Sequence, residues 1–235
     1  EAELLELIPG LWEWVLCVPP PPGPLRPARR RPVRPRPFEQ RQAAVHPTER
    51  VLRALAAEVS ERGYAEVTVA EIVERAHTSQ RTFYDSFTDK EAAVVAALDS
   101  GSAQMLAAAL PAFRRAVDWP SSVRLTQEAM LRFAAEEPEY GRLGAVEMYA
   151  AGKRALEQRE RVTESMEELL ATGFAVAPEA PMLAPEAIGG ALYALLYDFV
   201  KANGPERLLE LVPSFVYVTL APFLGADEAY AAAVN

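Results

Sequence analysis

Proline decides where this chain can be regular. Nine of its twenty prolines lie between Pro19 and Pro37, where each fixes φ and removes a backbone donor, so neither helix nor sheet propagates. Residues 18–46 are therefore expected to form an extended, partly polyproline-II linker. The stretch is also basic: residues 23–46 carry seven arginines against Glu39, a balance of +6 in a chain of net charge −9. It reads either as an arm following DNA phosphates or as a solvated spacer extended by its own charge.

Beyond Pro47 the prolines become punctuation between helical stretches. Val51, Leu52, Leu55, Ala56 and Val59 recur at helical spacing, and Gly63 ends that first helix. His46 is placed to help start it beside Pro47. Thr68-Val69-Ala70-Glu71 is a capping box that opens a second helix near Val69–Ala76. A short third helix is expected over about Ser79–Phe87. Thr88-Asp89-Lys90-Glu91 reads as a second capping box, opening a long alanine-rich helix toward Phe113. Pro111, Pro120, Pro138, Pro181, Pro185 and Pro205 then separate stretches near 121–136, 139–151, 153–173, 185–203 and 205–224. No alternating strand pattern persists, so the fold class is all-α.

Half of the residues are hydrophobic, enough for a substantial core, and the single cysteine, Cys17, leaves no internal disulfide. No uninterrupted apolar run approaches the roughly 18 residues of a membrane span. Glu1-Ala2-Glu3 is acidic where a secretory signal would be basic, so the expectation is a cytoplasmic protein with no membrane partner.

Leu4-Leu5-Glu6-Leu7-Ile8-Pro9 resembles Leu208-Leu209-Glu210-Leu211-Val212-Pro213 at a constant offset of 204. Chance similarity between two apolar helices is one explanation. The shared proline, read as lying mid-helix in both copies, favours the other. Residues 1–17 are then the last helix of a preceding, similar unit, and the chain is the second half of a tandem protein.

Two short helices joined by His77-Thr78 have the size of a helix-turn-helix, in which the second helix enters the major groove while the first braces it. On that second helix Phe83 and Phe87 face inward. Ser79, Gln80, Arg81, Thr82 and Tyr84 remain on or beside the outer face. Gln80 and Arg81 suit base edges, the hydroxyls suit phosphates, and Lys90 adds charge at the next helix start. Thr68 and Thr78 complete the candidate DNA surface.

The run from Thr68 to Ala76, followed by Thr78-Ser79-Gln80-Arg81-Thr82-Phe83-Tyr84-Asp85-Ser86-Phe87-Thr88-Asp89-Lys90-Glu91-Ala92, resembles the N-terminal domain of the TetR family of transcriptional regulators. Leu220-Ala221-Pro222-Phe223-Leu224-Gly225 is similar to the family's C-terminal helix. Two features depart from the pattern: His77 stands where the family usually has glycine, and residues 47–99, with six bases and ten acids, are net −4. The resemblance implies a three-helix reading domain at 47–98, a helical ligand-binding and dimerisation domain at 99–226, and a tail at 227–235. It also implies a homodimer, or intramolecular pairing with a second unit, on a double-stranded operator that is released when a small molecule binds. The other reading is a ligand-binding or dimerisation module with little DNA binding of its own.

His46, His77 and Cys17 are too scattered to hold a metal, and no nucleotide, dinucleotide or hydrolase signature occurs. Neither an enzyme nor a cofactor is expected. Phe113, Met130, Phe133, Met148, Tyr193 and Tyr197 are candidates to line an apolar ligand pocket. Glu147 lies on an apolar face, where it either orients a polar ligand or pairs with a neighbouring arginine. The last two helices, apolar on more than one side, are expected to form the dimer interface.

Overall fold

A computed structural model describes residues 21–26, 32–42 and 46–234. Among these every regular element is helical: α1 (Phe38–Gln42), α2 (Pro47–Arg62), α3 (Val69–Arg75), α4 (Gln80–Ser86), α5 (Lys90–Arg115), α6 (Trp119–Glu136), α7 (Pro138–Ala145), α8 (Lys153–Leu170), α9 (Ala184–Asn203), α10 (Val212–Leu224) and α11 (Ala226–Val234), with four short 3-10 turns between them. The expected helix at 1–17, the first copy of the repeat, lies outside the described residues. Its second copy is described: Leu208–Leu211 belong to a 3-10 turn and Pro213 falls in the first turn of α10. Proline is ordinary there because the missing N–H would have had no intrahelical acceptor, so Pro213 starts a helix rather than lying in the middle of one.

The helix boundaries follow local chemistry. His46 Nδ1 accepts from Thr48 N at 3.3 Å at the start of α2, and Gly63, with φ +85°, ends that helix by donating to Val59 O. The Thr68 box is reciprocal: Glu71 N donates to Thr68 Oγ1 at 3.4 Å, and Thr68 N donates to Glu71 Oε2 at 2.8 Å. The second box is displaced by one residue. Asp89, not Thr88, caps α5, its Oδ1 accepting from Ala92 N at 2.7 Å, and Glu91 instead binds Arg154. A carboxylate is the stronger acceptor for a helix N-terminus, and Thr88 only supports it by donating to Asp89 Oδ2.

Two apolar clusters organise the molecule. The first joins α2–α4 to the first half of α5 and to α7, with Val51, Leu55, Ile72, Phe83 and Val94 fully buried. The second gathers α6 and α9–α11 around Ile188, Leu208, Val216 and Leu220. The segment expected as a tail at 227–235 falls largely in α11 (Ala226–Val234), which buries Ala229 and Ala233 against this cluster. Together with α6, α11 explains why α10 is apolar nearly all round. Phe215 and Val216 are buried within the chain itself, so that apolarity needs no second copy to cover it.

Lys90–Arg115 and Pro205–Leu224 are long and apolar enough, by length and composition alone, to cross a membrane. Both pack as bundle helices here.

The described parts of the proline-arginine segment, 21–26 and 32–42, lie on the protein. Val33 N donates to Glu206 O at 3.0 Å, and Leu25 packs on the second cluster. After Pro37 no proline follows until Pro47, and α1 forms there. Phe38 packs on the first cluster beneath the Arg75 guanidinium, 4.7 Å from its ring centre, while Arg41 binds Glu137 and Glu139.

Candidate nucleic-acid interface and ligand cavity

The helix-turn-helix is set by how α3 meets α4. His77 N donates to Glu74 O and Thr78 N to Val73 O, closing the turn. His77 itself adopts φ +50°, the left-handed region that favours glycine. Ser79 then caps α4, its hydroxyl accepting from Thr82 N at 3.1 Å. Phe83, with no exposed surface, and Phe87 stack 5.4 Å apart and lock α4 to the core.

That anchoring leaves Ser79, Gln80, Arg81 and Tyr84 exposed on one face, with Thr78 and Thr82 half-buried beside them. The Arg81 side chain is 90 % exposed and meets Asp85 only loosely, at 3.8 Å. Two of the sequence-derived DNA residues are already engaged within the protein. The Thr68 hydroxyl belongs to the capping box. Lys90 Nζ donates to Tyr64 O and Val67 O, both at 2.7 Å, and lies 4.1 Å over the Tyr64 ring. Partial burial there pushes its pKa down. Lys90 thus ties the turn before α3 to the start of α5.

The acidic surplus of this domain is largely consumed away from α4. Arg62 pairs with Glu58 and Glu71, and Arg75 with Glu58 and Glu61. Hydrogen bonds from Arg62 and Thr68 hold the Glu71 carboxyl down at about 2. Asp89 and Glu91 share Arg154, which reaches over from the start of α8.

The helical domain contains two apolar cavities of about 150 and 350 Å³. Met130, Phe133, Met148 and Tyr193 line the first; Phe113 lines the second, and Met130 borders both. The structure places Tyr197 and Glu147 outside these walls. Tyr197 meets Tyr149 edge to face and lies beneath Lys201, and the Glu147 carboxylate pairs with Arg142 at 3.3 Å. An arginine five positions away had the stronger claim on that charge than a ligand.

Sequence reading missed the polar members of the walls. Gln127 and Gln158 are both buried, and Arg159 projects into the first cavity. Nothing local marks them, since each looks like an ordinary polar position on a surface helix.

Tyr140 links the two regions by a hydrogen bond. Tyr140, on α7, lines the first cavity, and its hydroxyl donates to Glu49 of α2 at 2.9 Å. Burial and the Glu49 carboxylate push its pKa far up. Ser100 and Gln104 donate to the same carboxylate, and Arg53 bridges it to Glu137. The reading domain is thereby seated on the helix that walls the cavity.

Residues 51–97 match the family model described as bacterial regulatory proteins, tetR family. No curated protein sequence matches the chain. Among solved structures, the regulator FadR from Bacillus subtilis in complex with stearoyl-CoA aligns over 75 % of this chain and 98 % of its own, at 15 % identity and a TM-score of 0.64. FadR from Bacillus halodurans aligns over 77 % and 96 %, at 17 % identity and 0.65. A TetR-family regulator from Syntrophomonas wolfei aligns over 75 % and 94 %, at 18 % identity and 0.62. At such identities the likeness is one of fold.

Proposed function

We propose that the chain is a TetR-family transcriptional regulator, a repressor that holds a double-stranded operator as a dimer and releases it when a small molecule enters the helical domain; the match of residues 51–97 and the likeness of fold support this reading. The carrying observation is the division of α4. Phe83 and Phe87 fix the helix from within, and Gln80, Arg81 and Tyr84 are left exposed to solvent. In this reading 47–98 reads DNA, with Arg81 and Gln80 on base edges and Ser79, Thr78, Thr82 and Tyr84 on phosphates. Thr68 and Lys90 act by holding α3 and the preceding turn in place. Residues 99–226 bind the ligand and the second copy, and the site of action is the cytoplasm.

Release follows from the linking tyrosine. A ligand that displaces Tyr140 pulls on Glu49 and shifts α2, and the spacing of two reading heads changes with it. Because α10 is covered within the chain, the proposed dimer contact is the outward side of α9, where Gly190 and Ala194 are exposed.

Fluorescence anisotropy with duplexes from the DNA flanking the gene tests this reading. Specific binding that is weakened in Arg81→Ala supports it. No binding to any flanking duplex favours the second reading, a ligand-binding or dimerisation module, which the net charge of −4 on residues 47–99 also favours. Sedimentation of a monomer at micromolar concentration overturns the dimer.

A further inference from the structure

The two cavities share part of their walls. Seven residues border both of them, and three of these are methionines: Met105, Met130 and Met166. Methionine is unbranched and has three rotatable bonds, so such a partition can be displaced at small cost. Beyond it the second cavity is rimmed by Leu106, Phe113 and Leu169, each substantially exposed. A compact ligand filling one cavity would leave this partition without a role.

The first cavity has a different chemistry at its wall. Arg159 is the one charged residue there among the described residues. Its guanidinium lies over the faces of Tyr193 and Tyr149, at 4.5 and 5.7 Å, and its Nε is buried with no hydrogen-bond partner. Arg142, Arg154 and Arg207 of the same domain each reach a carboxylate, whereas no described carboxylate lies within ion-pair distance of Arg159. On the cavity walls, two further buried polar atoms lack a hydrogen-bond partner: Gln127 Oε1, bordering both cavities, and Thr126 Oγ1, on the wall of the second.

We infer that the cavities are two lobes of one channel built for a long-chain carboxylate, its head on Arg159 and its tail passing the three methionines into the second lobe. A planar fork stacked between tyrosines matches a single carboxylate in two hydrogen bonds. A phosphate-rich head would call for several cations. The inference rests on the reading that the helical domain binds the regulatory ligand, and it adds the chemical class and the direction of entry.

Calorimetry on the full chain with octanoate, palmitate, hexadecanol and palmitoyl-CoA tests it. Palmitate is expected to bind at least about tenfold more tightly than octanoate or hexadecanol, from tail burial and the charge-assisted head contact respectively. Arg159→Gln should remove most of the advantage over hexadecanol, and Arg159→Lys should keep part of it. Met130→Trp, which blocks the partition, should weaken palmitate and spare octanoate, with native helicity by circular dichroism as the folding control. Equal affinity for the two chain lengths, or for acid and alcohol, overturns the inference, as does palmitoyl-CoA binding tenfold more tightly than palmitate. The operator assay keeps the two readings apart. Palmitate that binds as expected without releasing DNA defeats the proposed regulation and leaves the channel intact.

Discussion

The reading domain and the helical domain are built from the same helices but filled differently. In the first, the core side chains close around Phe83, Leu55 and Ile72, and the arginines beside them find carboxylates: Arg53 with Glu49 and Glu137, Arg75 with Glu58 and Glu61. In the second, cavities of about 150 and 350 Å³ remain. Protein interiors are otherwise close-packed. A domain that presents a fixed surface gains from being full. A domain that accepts a guest, as proposed for the second, gains from keeping space for it.

The contrast can be broken first by truncation. Phe83→Ala should cost about 3–5 kcal/mol, since nothing near it can collapse into the space, and Met130→Ala, beside existing voids, about 2 kcal/mol or less. Urea denaturation of the two variants checks the difference, and equal losses would erase the distinction between the domains. Arg53→Ala comes next. It strands Glu49 and Glu137 in a partly buried seam and should cost about 2–3 kcal/mol, measured the same way. Arg81→Ala should leave stability unchanged, the side chain being exposed, yet lower operator affinity by about 1–3 kcal/mol in anisotropy titrations.

The smallest expected effect is one of acidity. The Glu71 carboxyl is held at about 2, below its ordinary 4.5. A group depressed in the folded state contributes stability above 4.5, and that contribution is lost as pH falls through about 2. Acid titration followed by circular dichroism should show the loss in this window. In Glu71→Gln the component should vanish.

Much of this was legible from local chemistry. The Thr68 box, the Gly63 stop, the His46 start and the inward pair Phe83 and Phe87 are each specified within a few residues, and the structure keeps them. Thr88 and Asp89 are both good caps one position apart, so spacing alone could not choose between them. The α11 helix was missed because an alanine-rich segment of nine residues shows little amphipathic pattern until α10 lies beside it. The channel was only partly legible for a deeper reason. Phe113, Met130, Phe133, Met148 and Tyr193 advertise apolar burial, but Gln127, Gln158 and Arg159 become wall residues only when α5, α6 and α8 converge. Glu147 and Tyr197 were drawn off by near neighbours, Arg142 and Tyr149.

The bond from Tyr140 to Glu49 carries a consequence for how the two events trade against each other. If a guest in the channel weakens the hold on DNA by some factor, then DNA must weaken the hold on the guest by the same factor, because both draw on one equilibrium. A molecule seated on its operator is then a poorer sensor than one free in solution, and the occupied operators in a cell are the last to respond. Ligand titrated against the protein alone would overstate its potency on the bound complex, by the factor that Tyr140→Phe is expected to shrink.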